Sequence, residues 1–190
     1  MVRPTATLLA VALYASKAMA AVACPPLLVD NYHLHEAGQN NLGCVSTDDG
    51  TMANITKSLG LMSFVPRQDS HYFEEIVCRD VIDLGYTYLS YMVKGPAQAG
   101  SVRIELHTRE NCIPPFSEIK RTSVYDTFFE GKMIERQIPF EFFGDQGANL
   151  MAVSGVRWSE FRDGQDQEFE WSFGDIQLVC DGNVLPSEET

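Results

Sequence analysis

The chain has 190 residues, 45% of them apolar and 21% charged, with a formal net charge of −12. A field of that sign repels nucleic-acid phosphates and anionic membranes, which sets both aside as partners; its plain meaning is solubility. The length suits one domain with a complete core, and no Ser/Gly/Pro-rich linker, internal repeat or low-complexity tract divides it.

Residues 1–20 read as a secretory signal peptide. Arg3 precedes an apolar run through Leu8, Leu9, Ala10, Val11, Ala12, Leu13 and Tyr14. Small residues then offer an A-x-A exit at Ala18-Met19-Ala20, with a second at Ala21-Val22-Ala23. The run is too short to span a bilayer and Lys17 interrupts it, so no membrane anchor is expected. Cleavage after Ala20 leaves residues 21–190 as a single domain in the secretory-pathway lumen or outside the cell. Loss of Arg3 and Lys17 takes the charge from −12 to −14.

The remainder reads as β structure. Strands are predicted at Leu27 to Asp30, Thr51 to Ser58, Leu61 to Val65, His71 to Val77 and Tyr86 to Val93, the last ending in the turn signal Lys94-Gly95-Pro96. The clearest alternation follows, with Val102, Ile104 and Leu106 on one face and Arg103, Glu105 and His107 on the other. Ser123 to Phe128 and Met133 to Ile138 are further strands, Pro139 to Gln146 gives one short helical turn, and Leu150 to Val156 is another strand. Phe169, Trp171 and Phe173 then alternate with polar residues, and after Gly174 the phase resumes as Ile176, Leu178 and Cys180. Asp48-Asp49-Gly50, Pro114-Pro115 and Asp163-Gly164 punctuate these runs. Many short strands between turn signals predict an all-β fold, an antiparallel β-sandwich or jelly roll.

Five cysteines survive leader removal: Cys24, Cys44, Cys78, Cys112 and Cys180. None forms a C-x-x-C pair, so neither zinc nor a thioredoxin-type site is indicated, and an oxidising compartment favours disulfides. Two bridges and a leftover among these five can be drawn in fifteen ways, which spacing alone does not resolve. Asn54-Ile55-Thr56 is an N-glycosylation acceptor.

Several constellations carry potential chemistry. His33-x-His35-Glu36 has strand spacing for a shared metal ion, but no third ligand stands at a credible spacing, and a loop with two surface histidines explains it better. Asp48-Asp49 before Gly50 suits a turn cap or a structural calcium better than acid–base catalysis. No G-x-S-x-G elbow exists; Ser154-Gly155 lacks its leading glycine. The polar faces of strands are more suggestive. Arg103, Glu105 and His107 project together, and Tyr72, Tyr88, Tyr91, Arg157, Trp158 and Trp171 add large amphipathic surfaces. Each aromatic taken singly fits a core. Taken together they suit a concave site for a neutral or aromatic small molecule.

The order of segments resembles a family of small secreted fungal β-sandwich proteins with a galactose-binding-like jelly-roll fold. The resemblance is carried by Cys24-Pro25-Pro26-Leu27-Leu28-Val29-Asp30, by Thr47-Asp48-Asp49-Gly50-Thr51-Met52, and by Asp69-Ser70-His71-Tyr72-Phe73 leading to Cys78. It continues in Ser101 to Thr108 leading to Cys112, and in Gly174-Asp175-Ile176-Gln177-Leu178-Val179-Cys180. The resemblance implies disulfides Cys24–Cys180 and Cys78–Cys112, with Cys44 left over. Members occur as binding modules beside polysaccharide deacetylase domains, or alone. The chain departs from the modules at three places: His107 where an amide is usual, Arg103 where a small residue is usual, and Arg157-Trp158 where small or apolar residues are common.

Among stand-alone members, the chain is similar in size, leader and lack of cofactor motifs to the hetero-Diels–Alderases of fungal tropolone sesquiterpenoid biosynthesis. That resemblance implies a cycloaddition between a tropolone quinone methide and a humulene-type alkene, without metal or other cofactor. Such a reaction needs two reactants held face to face and a hydrogen-bond donor at the quinone-methide oxygen. Arg103, His107, Arg157 or a tyrosine would be the donor, with Tyr72, Trp158 and Trp171 as substrate-binding walls. The rival readings are a non-catalytic secreted carbohydrate-binding module and a secreted effector or surface protein that binds a host partner.

Overall fold

The computed structural model describes residues 24–34, 38–58, 60–97, 100–163 and 169–181. The leader and the His35-Glu36 half of the histidine motif lie outside the described residues.

In chain order the strands are β1 (Leu27–Asp30), β2 (Ser46–Asp48), β3 (Ala53–Ser58), β4 (Leu61–Val65), β5 (His71–Arg79), β6 (Tyr88–Lys94), β7 (Ser101–Thr108), β8 (Lys120–Thr127) and β9 (Ile134–Pro139). A short helix α1 (Phe140–Gly144) follows, then β10 (Val153–Arg162) and β11 (Trp171–Val179). They form two antiparallel sheets. One has the order β3-β4-β11-β6-β9, with β1 also paired to β11; the other has the order β2-β5-β10-β7-β8. The protein is an antiparallel β-sandwich. Among the described residues no helix is long and apolar enough to cross a membrane.

Three places depart from the sequence reading. β2 was not anticipated: its three residues merge into the Asp48-Asp49-Gly50 turn, where Gly50 N donates to Asp48 Oδ2 at 2.7 Å. The strand predicted from Leu150 begins only at Val153, because the Asn149 side chain accepts from Met151 N and caps a 3-10 turn over Leu150–Ala152. β10 then runs on to Arg162, broken by irregularities near Ser154 and after Ser159 that disguise its alternation. By contrast, the change of phase expected after Gly174 is a register shift between Phe173 and Ile176.

The core follows from strand parity. Val102, Ile104 and Leu106 of β7 meet Val156 and Trp158 of β10, and across the gap Phe64, Leu89, Tyr91, Phe173, Ile176 and Leu178 of the other sheet. Ring centroids of Phe64 and Phe173 lie 5.4 Å apart, those of Trp158 and Phe173 5.5 Å, and those of Tyr91 and Trp158 5.6 Å. Each fully buried large apolar side chain contributes roughly 1.5–3 kcal/mol. Tyr72, Trp158 and Trp171 are all within this core, at most 1% exposed. They are not walls of a surface site: neighbouring strand positions point to opposite faces, so Arg157 outside forces Trp158 inside.

Polar groups pin the chain ends into this frame. Ser46 Oγ donates to Asp30 Oδ2 at 2.9 Å and lies 2.5 Å from Tyr72 OH, while Asn40 Nδ2 donates to Glu74 Oε2 at 3.0 Å. Burial, then the Asp30 carboxylate, push the Glu74 carboxyl up. Cys24–Cys180 ties the first described residue to the end of β11, and Cys78–Cys112 joins the end of β5 to the loop after β7, with Cα atoms 6.1 and 5.4 Å apart. Cys44 carries the free thiol.

Candidate functional site

The outer face of the five-stranded sheet is built around β10. Arg157 is paired with Phe73 of β5 and Glu105 of β7; Gly155 with Glu75 and His107; Ser159 with His71 and Arg103. Directly opposed residues share a face, so these nine positions form one surface. β8 extends it with Arg121, Ser123 and Tyr125 opposite His107, Glu105 and Arg103.

Charge on this surface is tightly arranged. Glu105 is 5% exposed and sits between two guanidinium groups, with Arg103 Nη2 3.1 Å from Oε1 and Arg157 Nη1 3.2 Å from Oε2. Arg103 Nη1 also donates to Glu160 Oε1 at 2.8 Å, and Tyr125 OH donates to Glu160 Oε2 at 2.5 Å. Those two hydrogen bonds hold the Glu160 carboxylate below its ordinary range. Glu160 adopts φ 49°, a left-handed conformation that a non-glycine residue reaches only at a cost, at the irregular end of β10.

His107 occupies the middle of the face. The residue is 5% exposed, and its ring lies 5.1 Å from the Phe73 ring, interplanar angle 32°. Gly155 makes that contact geometrically available: a Cβ there would stand 2.8 Å from Phe73 Cε2 and 2.9 Å from Glu74 O. Neither ring nitrogen of His107 has a hydrogen-bond partner among the described residues, and neither does Arg157 Nε. Burial, then the charges of Arg121 and Arg157, push His107 down to about 4, so the ring is neutral at physiological pH. Buried polar side-chain atoms are nearly always paired, which makes these three orphans the chemically unfinished part of the surface.

Arg103, His107 and Arg157 are thus brought together on one face. Phe73, Gly155, Tyr125 and Glu160 complete the face and were not singled out. Phe73 was legible only as the opposite parity of Tyr72, and which of the two faced outward was decided by the partner sheet. The other candidates fall elsewhere. Tyr91 is buried, and its OH donates to Asp126 Oδ2 at 2.6 Å. His33 is exposed in the loop after β1. Asp48 and Asp49 close their turn through Gly50 N and Thr51 N, and Asp49 Oδ2 meets His71 Nδ1 at 3.0 Å. Among the described residues no three His, Cys, Asp or Glu side chains converge as a metal site. Asn54 is exposed on β3.

A cleft of about 340 Å³ opens beside the face, between the segment preceding β2, the end of β5 and the β7–β8 loop. Glu75 and Ser154 line it together with Val45, Val77, Phe116 and Cys44.

No family model matches the chain, and no curated protein matches it. Solved structures do, at the level of fold. The family 30 carbohydrate-binding module of a cellulosomal cellulase from Clostridium thermocellum is 11% identical with TM-score 0.57, covering 84% of this chain and 99% of the module. A second structure of a family 30 module gives 12% identity and TM-score 0.55, covering 83% and 99%. The family 11 module from Clostridium thermocellum in complex with a β-1,3-1,4-mixed-linked tetrasaccharide gives 13% identity and TM-score 0.52, covering 82% and 95%. These likenesses establish a shared β-sandwich architecture.

Proposed function

We propose that this protein is a secreted, non-catalytic carbohydrate-binding module that holds an oligosaccharide across the outer face of its five-stranded sheet. The observation that carries the reading is the Arg103–Glu105–Arg157 array flanked by Phe73, His107 and Tyr125. A sugar offers hydroxyls that donate to a carboxylate and accept from guanidinium groups, and C–H faces that rest on an aromatic ring. The part-exposed guanidinium groups of Arg103 and Arg157 and the exposed Tyr125 are within reach of such a ligand, and an uncharged ligand leaves the ion pairs intact. The mixed-linked tetrasaccharide bound by the family 11 module supplies the first probe. Calorimetric titration with that tetrasaccharide and with β-1,3-, β-1,4- and mannose-based oligomers tests the reading. Arg157→Ala is expected to weaken binding at least about tenfold, as truncation of a central interface arginine does. Absence of binding across the panel refutes the proposal.

A second reading rests on the same residues. His107 is neutral, shielded from water and unpaired beside two arginines, which suits a donor for charge building on an oxygen atom. That arrangement supports a cofactor-independent hetero-Diels–Alderase joining a tropolone quinone methide to a humulene-type alkene, with Arg103, His107 and Arg157 as donors and Phe73 in place of the buried tryptophans as the stacking surface. Adduct yield and enantiomeric excess are compared with and without protein. Equal yield of racemic product eliminates this reading for that pair.

A further inference from the structure

We infer that the cleft beside β2 is a binding site for an uncharged, apolar small molecule, or for the apolar part of a larger one. This goes beyond the reading of the sheet face and does not depend on it. The walls are Val45, Val77 and Phe116, which are 47%, 53% and 54% exposed and therefore hold apolar surface in water across one small concavity. At about 340 Å³ the cleft falls within the range of small-molecule sites, roughly 300–1,000 Å³. That is room for a short chain or a ring system, and too little for a helix or strand of a partner protein.

The charged groups at the rim already hold partners within the protein. Arg109 Nη1 donates to Ser117 O at 2.5 Å, and its guanidinium lies 5.0 Å from the Phe116 ring centroid. Glu75 Oε2 accepts from Val45 N at 3.4 Å. Ser154 Oγ donates to His107 O at 3.3 Å. An apolar occupant disturbs none of these contacts and covers the three exposed walls. Through Glu75 and Ser154, the cleft borders the Gly155–His107 row, so a ligand with a polar head and an apolar tail spans both.

Cys44 supplies a reporter inside the cleft. It is the one thiol not held in a disulfide, and it is partly exposed, so a small alkylating reagent reaches it. Burial and the Glu75 carboxylate push the thiol up, so labelling is run at mildly alkaline pH. Labelling rates are measured with increasing 1-butanol and 1-octanol. Each buried methylene is worth about fourfold in affinity, so octanol is expected to protect Cys44 at a concentration at least about tenfold lower than butanol. Val77→Asp and Phe116→Ala, both at exposed positions, are expected to flatten that dependence on chain length. Equal protection by the two alcohols, or unchanged dependence in both variants, overturns the inference. Loss of oligosaccharide binding with chain-length dependence intact overturns only the reading of the sheet face.

Discussion

Acidification is expected to destabilise the protein through His107, and His107→Phe is expected to remove that sensitivity. An unfolded histidine takes up its proton near 6.5, whereas in the folded chain burial and the positive charges of Arg121 and Arg157 push His107 down to about 4. The folded value is depressed, so the neutral ring favours the folded state fully only above about 6.5. The contribution is lost as pH falls from there through about 4, and over that span it amounts to at most about 3 kcal/mol, at 1.36 kcal/mol per pH unit. Glu74 acts with the opposite sign. Its folded value is raised, so its contribution is present at acidic pH and lost as pH rises. It points to the inner face and is common to both proteins, so it cancels when wild type and variant are compared. Phenylalanine preserves the ring contact with Phe73 and deletes two unpaired nitrogens, which is expected to make the variant about 1 kcal/mol more stable near neutrality. Urea unfolding of both proteins between about pH 7 and about pH 4 measures the difference. The gap should widen steadily in favour of the variant on acidification. Parallel curves would refute the claim that the His107 ring is dehydrated and kept neutral by its surroundings.

Two further outcomes are accessible. Gly155→Ala places a methyl group 2.8 Å from Phe73 Cε2 and 2.9 Å from the Glu74 carbonyl oxygen, and is expected to cost about 1–3 kcal/mol while moving Phe73 away from His107; unchanged melting together with unchanged oligosaccharide affinity would contradict the close packing described for the face. Expressed with its own residues 1–20, the protein is expected in the medium with a mass starting at Ala21 after deglycosylation, and the enzymatic mass shift should vanish in Asn54→Gln; a retained leader would contradict the secretory reading.

Strand identity was legible wherever alternation was clean. Leu27–Asp30 and Leu61–Val65 coincide with the predicted runs, and the Val102, Ile104, Leu106 series correctly separated the inner face of β7 from Arg103, Glu105 and His107. A period of two is written by each strand alone, without knowledge of its partners. The resemblance carried by the cysteine-bearing segments anticipated Cys24–Cys180 and Cys78–Cys112, the two bridges in the structure. What alternation does not carry is the choice between faces when both hold large side chains. In Tyr72-Phe73-Glu74-Glu75 either parity has an aromatic and a carboxylate, and burial of Glu74 becomes tolerable only because Asn40, Ser46 and Tyr72 satisfy it inside.

The tryptophans show the same division. An indole taken singly fits a core better than a ligand wall, and only the grouping of aromatics pointed to a site. Tertiary packing decided the matter: Phe173 approaches Trp158 to 5.5 Å from the opposite sheet, and Phe161 and Phe129 close on Trp171 at 5.3 and 5.0 Å. The sequence by itself therefore determined a disulfide-bearing all-β chain and the polar face of β7. Only the tertiary structure decided that Phe73, across a glycine, and Arg157, across a strand pair, belong to that face, because such neighbours are made by cross-strand register and not by spacing along the chain.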